Sequence, residues 1–268
     1  MVRSHELKSR VGIVVPTLGK RPDYLVQCLN SIKSAATASS SVFVIIVAPN
    51  SLDPLNFLKS GLVQKVVEDP GTGLAGAINA GFASMPTGVE YINWLGDDDL
   101  LSPGSLDLTS QILDSNPDTV LVFGRCDYID PDGSGVWTNK SGSFAVSLLR
   151  FGPDLIPQPG ALFRMNSFFE VGGLNLDYKW AFDFDLLIKL SKIGKLTYIN
   201  ETLSSFRWHP ESLSVEFRTK SVEEASKVRI SHLPSVLRPI SWLWEYPVMK
   251  ATLFAGLRLT DRAKKLAS

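Results

Sequence analysis

Through its first half the chain alternates short β-branched runs with segments of helical periodicity, and no other feature narrows its fold so far. "VGIVV" (11–15), "VFVIIV" (42–47), "VQKVVE" (63–68) and "VEYINWL" (89–95) read as strands. Between them, "PDYLVQCLNSIKSA" sets Leu25, Cys28, Leu29 and Ile32 on one helical face, the Ala/Ser/Thr stretch 35–41 reads as a loop, and "GLAGAINAGFASM" reads as a second amphipathic helix. Such alternation predicts βαβ units, hence an α/β fold with a mainly parallel sheet flanked by helices. After a helix at about 104–115, "TVLVFG" reads as a strand and "CDYIDPDGSGVW" as a hairpin with an Asp-Gly turn. "DLIPQPGALFRMNSFFEVGGL" has the punctuation of loop, strand and short helix. "WAFDFDLLIKLSKIG" is a helix that stops at Gly194, and "KLTYIN" and "LSSFRWHP" are two more strands. From about Thr219 a charged helix leads into a Trp-rich, Pro-punctuated tail. We expect a main domain over 1–218 and a helical extension over 219–268.

Composition excludes several classes of partner. The chain has 268 residues, 44% hydrophobic and 20% charged, enough to bury one large core. Lys plus Arg number 27 and Asp plus Glu 27, so no global basic field exists to gather nucleic acid. Cys28 and Cys126 have no metal-type spacing and no disulfide framework, and read as small buried hydrophobes in a reducing compartment. The run "VGIVV" is too short for a signal-peptide core. The most apolar window, "PISWLWEYPVMKATLFAGLRL", is broken by Glu245, Pro247 and Lys250 and falls short of the roughly 18 uninterrupted apolar residues of a membrane span. A cytoplasmic protein is expected, with the inner face of the membrane as a second location.

At "NWLGDDDLLSPGSL" a strand ends in Asp97, Asp98 and Asp99. Adjacent carboxylates repel, so the cluster needs either full solvation, a helix to cap, or a bound cation. The apolar flanks limit solvation. Hard oxygen donors at the carboxyl end of a strand, where open α/β sheets place their ligand crevice, suit Mg²⁺ or Mn²⁺ together with a phosphate-bearing substrate. On spacing alone the solvated turn and the metal site stand about equal.

"VGIVVPTLGKRPDYLVQCLNSI", "GTGLAGAINAGF", "YINWLGDDDLLSPGSL", "VGGLNLDYKWAFDFDLLIKL" and "FRWHPESLS" follow one another in an order that resembles the inverting family 2 glycosyltransferases. The resemblance covers about residues 11–215 and implies a GT-A fold with a single Rossmann-like sheet and a nucleotide diphosphate sugar donor. It places Pro16, Thr17, Arg21, Gly73, Gly76, Asn79, Asp97 and Asp98 along the nucleotide. Asp99, Asp97 and His209 are placed at a Mn²⁺ or Mg²⁺ ion, and Asp183 as the general base. The family commonly carries Glu-Asp at that last place, whereas Phe182 precedes Asp183 here, so Asp183 is expected to work without an acidic neighbour. Asp185 reads as a capping or structural group. Trp180 and the "IPQPG" segment (156–160) match the acceptor side, although core packing explains Trp180 equally. After the second strand, "IVAPNSLD" sets Ala48 and Pro49 where the family has an acidic contact to a uracil, which leaves dTDP and GDP open beside UDP, with Asn50 or Asp53 as substitutes.

These assignments imply a metal-assisted single displacement that moves a sugar to a hydroxyl of a glycan, polysaccharide or lipid-linked saccharide. The alternatives are a metal-dependent nucleotidyltransferase, a carboxylate-pair glycoside hydrolase and a sugar-binding module. In the tail, Trp242, Trp244, Tyr246 and Phe254 alternate with Lys250, Arg258, Arg262, Lys264 and Lys265, a pattern found where helices lie on membrane surfaces. A lid or an oligomer contact explains it as well.

Overall fold

The computed structural model describes residues 10–37, 41–208 and 218–266. His209 lies outside the described residues. The elements run β1 (Val11–Pro16), α1 (Pro22–Ala35), β2 (Val42–Ala48), α2 (Pro54–Leu58), β3 (Lys65–Glu68), α3 (Leu74–Ala83), β4 (Tyr91–Trp94), β5 (Leu100–Leu101) and α4 (Ser105–Ser115). They continue through β6 (Thr119–Ile129), β7 (Gly135–Asn139), α5 (Phe144–Leu148), β8 (Leu162–Arg164), α6 (Met165–Glu170), α7 (Phe182–Ile193) and β9 (Lys195–Arg207), and end with α8 (Arg218–His232) and α9 (Trp242–Leu266).

The strands form one mixed sheet in the order β3-β2-β1-β4-β8-β6-β9-β5, with β7 paired to β6. β3, β2, β1 and β4 are parallel, as are β6 and β9, while β8 runs antiparallel to both β4 and β6. Alternation along the inner strands divides the core between the two faces. Val11, Ile13 and Val15 of β1 and Val44 and Ile46 of β2 meet Leu25, Cys28, Leu29 and Ile32 of α1 and Leu106 and Leu113 of α4. Val14, Ile45 and Val47 face the other way, toward Ala75, Ile78 and Phe82 of α3 and a cluster that includes Trp94, Phe163, Phe182 and Phe184. At Gly81 of α3 an added Cβ would lie 2.6 Å from Val14 Cγ1. That glycine lets the helix lie close on the sheet.

Several expectations change in detail. "KLTYIN" and "LSSFRW" belong to one long strand, β9, whose register against β6 shifts at Phe123–Cys126. The hairpin has its turn at Asp132-Gly133, where Gly133 has φ 90° and Asp130 Oδ1 accepts the N–H groups of Asp132 and Ser134. Gly194 ends α7, but with extended backbone, φ −168°. What demands glycine there is space, since a Cβ would lie 2.2 Å from Val120 Cγ1. The tail forms the long helix α9, with Pro247 inside its second turn. Both cysteines are buried and free, and burial raises the Cys126 thiol to about 12.

Candidate active site

Parallel strands deliver their carboxyl ends to one edge of the sheet, and β1 and β4 end side by side. Thr17 follows β1 and the three aspartates follow β4. Each aspartate side chain takes a different partner. Asp97 Oδ2 accepts the Thr17 hydroxyl at 2.5 Å, Asp98 Oδ2 pairs with Arg21 Nη1 at 2.8 Å, and Asp99 Oδ1 accepts the Arg207 N–H at 3.0 Å. The loop after β1 is thereby stitched to the aspartate turn. Pro16 closes β1 next to Thr17, and Arg21 stands at the start of α1.

The remaining oxygens of two aspartates meet over Gly96. A Cβ there would lie 2.9 Å from Asp99 Oδ2 and 3.0 Å from Asp98 Oδ1, so glycine leaves a cradle flanked by two carboxylates. Asp99 is only 5% exposed, and burial together with the charge of Asp98 raises its pKa well above the usual carboxylate range. Burial and mutual repulsion favour a proton or a cation shared by such a pair. Two converging hard oxygens fit a divalent ion that draws its other ligands from water and a diphosphate, and among the described residues no group of three or more His, Cys, Asp or Glu side chains converges on one point.

Arg207 is a functional neighbour that the sequence does not single out. It is buried at the end of β9. Its Nε donates to the Asp98 carbonyl, Nη1 to the Pro131 carbonyl and Nη2 to Gln27 Oε1, while its guanidinium lies 4.3 Å from the Tyr24 ring centre. The hairpin, α1 and the aspartate turn therefore share one cation.

Gly73 precedes α3 with φ 86°, exposed and with open space where a side chain would stand. Gly76 lies buried in α3, where a Cβ would meet Thr72 Oγ1. Asn79 does not follow the same path. Its Nδ2 donates to the Leu174 carbonyl and its Oδ1 accepts the Leu174 N–H, so the amide fastens the 172–174 turn to α3. Beside β2, Asp53 caps α2 by accepting the Leu55 N–H.

Helix α7, which carries Asp183, comes from the second half of the chain and packs its first residue against the end of β4. Phe182, the first residue of α7, packs its ring 6.3 Å from that of Trp94, the last residue of β4. The start of α7 and the end of β4 thus share one wall of packed rings, with Asp97 three residues beyond Trp94 in the chain. Asp183 Oδ1 accepts the Phe184 N–H at 2.8 Å. Burial raises its pKa to about 6, against the lowering effect of backbone N–H groups, and the charge of Glu224 on α8 adds to the rise.

No acidic residue directly precedes Asp183 in the chain, but acidic groups influence it through space. Phe182 is turned into the core, and the acidic neighbours arrive from elsewhere in the sequence. Asp154, before β8, is raised well above the carboxylate range by burial and by the charge of Asp183. Its Oδ1 accepts the Ile156 N–H. The segment carrying it is tied to β4 by Gln158 Nε2, which donates to Asn93 Oδ1 and the Trp94 carbonyl, and by Asn93 Nδ2, which donates to the Pro159 carbonyl. Asp154 escaped notice because nothing local in "GPDLIPQPG" distinguishes it from a loop carboxylate.

Asp185 faces away from this wall, as expected of a structural group. Its Oδ1 bonds His232 Nε2 of α8 at 2.7 Å and its Oδ2 pairs with Lys189. Although burial opposes it, these two partners hold its pKa below the usual value. Trp180 is partly buried, with Lys179 Nζ and Lys220 Nζ 5.2 and 5.8 Å from its ring centre.

Residues 12–188 match the family model "Glycosyl transferase family 2". The chain is 25% identical over 231 residues to an uncharacterized glycosyltransferase of Rickettsia conorii, covering 80% of this chain and 36% of that protein. It is 23% identical over 209 residues to the chondroitin synthase of Pasteurella multocida, covering 77% of this chain and 21% of the synthase. The chain thus spans about a third or less of the length of these relatives. In fold it is similar to the mannosyltransferase PcManGT from Pyrobaculum calidifontis in complex with GDP-Man and Mn²⁺, with TM-score 0.64, 17% identity and coverage of 97% of this chain and 81% of that one. It is also similar to S. aureus TarS 1-349 in complex with UDP-GlcNAc, with TM-score 0.62, 13% identity and coverage of 85% and 69%.

Proposed function

The chain belongs to glycosyl transferase family 2, and from that premise we propose that it moves a sugar from a nucleotide diphosphate donor to an acceptor hydroxyl with inversion at the anomeric carbon. The observation that carries this reading is the packing of Phe182 against Trp94. It ties the segment of Asp183 to the strand that leads into Asp97 to Asp99, which supports a base and an anion-handling turn from distant parts of the chain serving one donor. The donors bound by PcManGT and TarS, GDP-Man and UDP-GlcNAc, support the substrate class.

Thr17, Arg21 and the start of α3 after Gly73 serve the nucleotide side, with Pro16 directing the chain out of β1. Asp97 holds the Thr17 hydroxyl, and Asp98 orients Arg21 toward the diphosphate. Asn79 supports this side by fastening the Leu174 turn. Asp98 and Asp99 would hold a Mn²⁺ or Mg²⁺ ion over Gly96, with His209 a further ligand. When bound, that ion supplies positive charge to the departing diphosphate.

In the reaction the acceptor oxygen forms its bond to the anomeric carbon as the bond to the diphosphate breaks. The hydroxyl proton passes to Asp183. With a pKa near 6, Asp183 is mostly ionised at pH 7 and still basic enough to accept a proton, the compromise a general base needs. Trp180 and the 156–160 segment line the acceptor side. The acceptor is a saccharide, free or lipid-linked.

The reading is tested by calorimetric titration of UDP, GDP and dTDP, each with and without Mn²⁺, into the wild type and Asp99→Ala. One nucleotide should bind in a Mn²⁺-dependent manner, and Asp99→Ala should lose that dependence. No binding of any nucleotide would overturn the donor assignment. A Mn²⁺ dependence unchanged by Asp99→Ala would remove that residue from the ion site.

A further inference from the structure

We propose that Glu224, on α8 and beyond the family match, is a positioning residue for Asp183, seating the backbone from which the base helix starts. The proposal rests on the assignment of Asp183 as general base.

The geometry is local and complete. Lys179, Trp180 and Ala181 are the last three residues before α7, and their N–H groups point the same way. Glu224 Oε1 accepts from Lys179 at 3.0 Å, and Oε2 accepts from Trp180 at 2.6 Å and Ala181 at 2.7 Å. Consecutive backbone N–H groups arranged in this manner form a concavity that favours an anion, and here a side chain from a different helix supplies it. Charge-assisted bonds of this kind are short and directional. Ala181 is the N-cap of α7, yet its own side chain has no oxygen to cap with. Glu224 therefore performs from outside what a Ser or Asp at that position performs locally, and it aligns Trp180 and Asp183 together.

Two further ties keep α8 in place without Glu224. His232 bonds Asp185 on α7, and the buried Arg229 donates to Glu245 of α9 and to the Gly152 carbonyl, two residues before Asp154. One face of α8 thus touches both segments that bring acids to the base. The charged groups around Asp183 are Asp154 from the loop before β8 and Glu224 from α8. Arg229 acts on Asp154, and Asp185 is turned toward His232 and Lys189. Removing the Glu224 charge takes away one of the influences that keep Asp183 protonated to higher pH.

The test compares Glu224→Gln and Glu224→Ala with the wild type in three readouts. Amide hydrogen exchange should accelerate at 179–181 in Glu224→Ala while the aspartate turn keeps its protection. Nucleotide binding with Mn²⁺ should be unchanged in both variants. With donor and acceptor supplied, kcat should fall about 10- to 100-fold in Glu224→Ala, and the acid limb of kcat/KM should move to lower pH in both variants, the shift that loss of a nearby negative charge requires.

Exchange at 179–181 unaltered in Glu224→Ala would overturn the proposal whatever the activity. An acid limb unmoved in both variants, with kcat lowered only in proportion to lost folded protein, would reduce Glu224 to a stabilising contact. If exchange loosens as expected but Asp183→Asn transfers sugar as fast as the wild type, the base assignment fails and the positioning role falls with it, and the seating of the segment alone survives.

Discussion

The role proposed for Asp183 asks two things that oppose each other in a folded protein: that it be poorly solvated enough to hold a proton at about pH 6, and ionised enough at neutral pH to accept one. Replacing it with asparagine separates the two demands. Asp183→Asn should lower kcat by about 10² to 10⁴, the usual contribution of a general base, with little change in donor binding. The same substitution should stabilise the protein at pH 8. The folded pKa exceeds the unfolded value of about 3.9, so the folded state binds more protons between roughly pH 4 and 6 and wild-type stability falls as pH rises through that window. Asparagine is exempt. Two pKa units amount to almost 3 kcal/mol, but Asp183 is partly exposed, so about 1 to 2 kcal/mol is expected at pH 8, vanishing below pH 4. Thermal melts of both proteins across this range would decide it, and equal Tm values at pH 8 would mean that burial does not penalise the charge. In the enzyme itself, kcat/KM should rise as pH passes 6.

At the scale of elements, α8 and α9 are held to the sheet domain by polar contacts as well as by apolar ones. Arg229 and Glu245 pair at 2.7 Å with side-chain exposures of 2% and 5%, and Ser226 Oγ also donates to Glu245. Breaking one side of a buried pair leaves an uncompensated charge, so Glu245→Ala should destabilise by about 3 to 5 kcal/mol, while Arg229→Met with Glu245→Leu should cost much less. Chemical denaturation of the three proteins measures this. Equal losses for the single and double variants would mean that the pair itself, rather than the orphaned charge, supplies the stability. Arg229 also bonds the Gly152 carbonyl, and Glu224 influences Asp183, so α8 contributes side chains to the surroundings of that aspartate.

At the scale of the whole molecule, an exposed apolar stripe lies on α9. Leu243, Tyr246, Phe254 and Leu257 are each more than half exposed and recur at helical spacing, with Lys250 and Arg258 set against the rings of Tyr246 and Phe254. No described helix is long and apolar enough to cross a membrane. An apolar stripe edged with cations can instead lie on a lipid surface, which would bring a lipid-linked acceptor to the crevice. The full chain should sediment with vesicles containing anionic lipid and be released by salt, and Tyr246→Glu with Phe254→Glu should abolish sedimentation. Sedimentation equal on neutral and anionic vesicles, or none on either, would argue for a protein contact on this face.

What the sequence by itself determined is what repeats locally or clusters in a line. The alternation of strand and helix, the sidedness of α1, the Asp-Gly hairpin and the three aspartates at the end of β4 were legible because hydrophobic period and turn chemistry act over a few residues. Tertiary structure alone decided which charges meet. Asp154 and Glu224 reach Asp183 from 29 residues before it and 41 after it in the chain, and Arg207 reaches Asp98 and Asp99 across the sheet. Electrostatic coupling depends on separation in space and on exclusion of water, and neither is encoded in the spacing of residues along the chain.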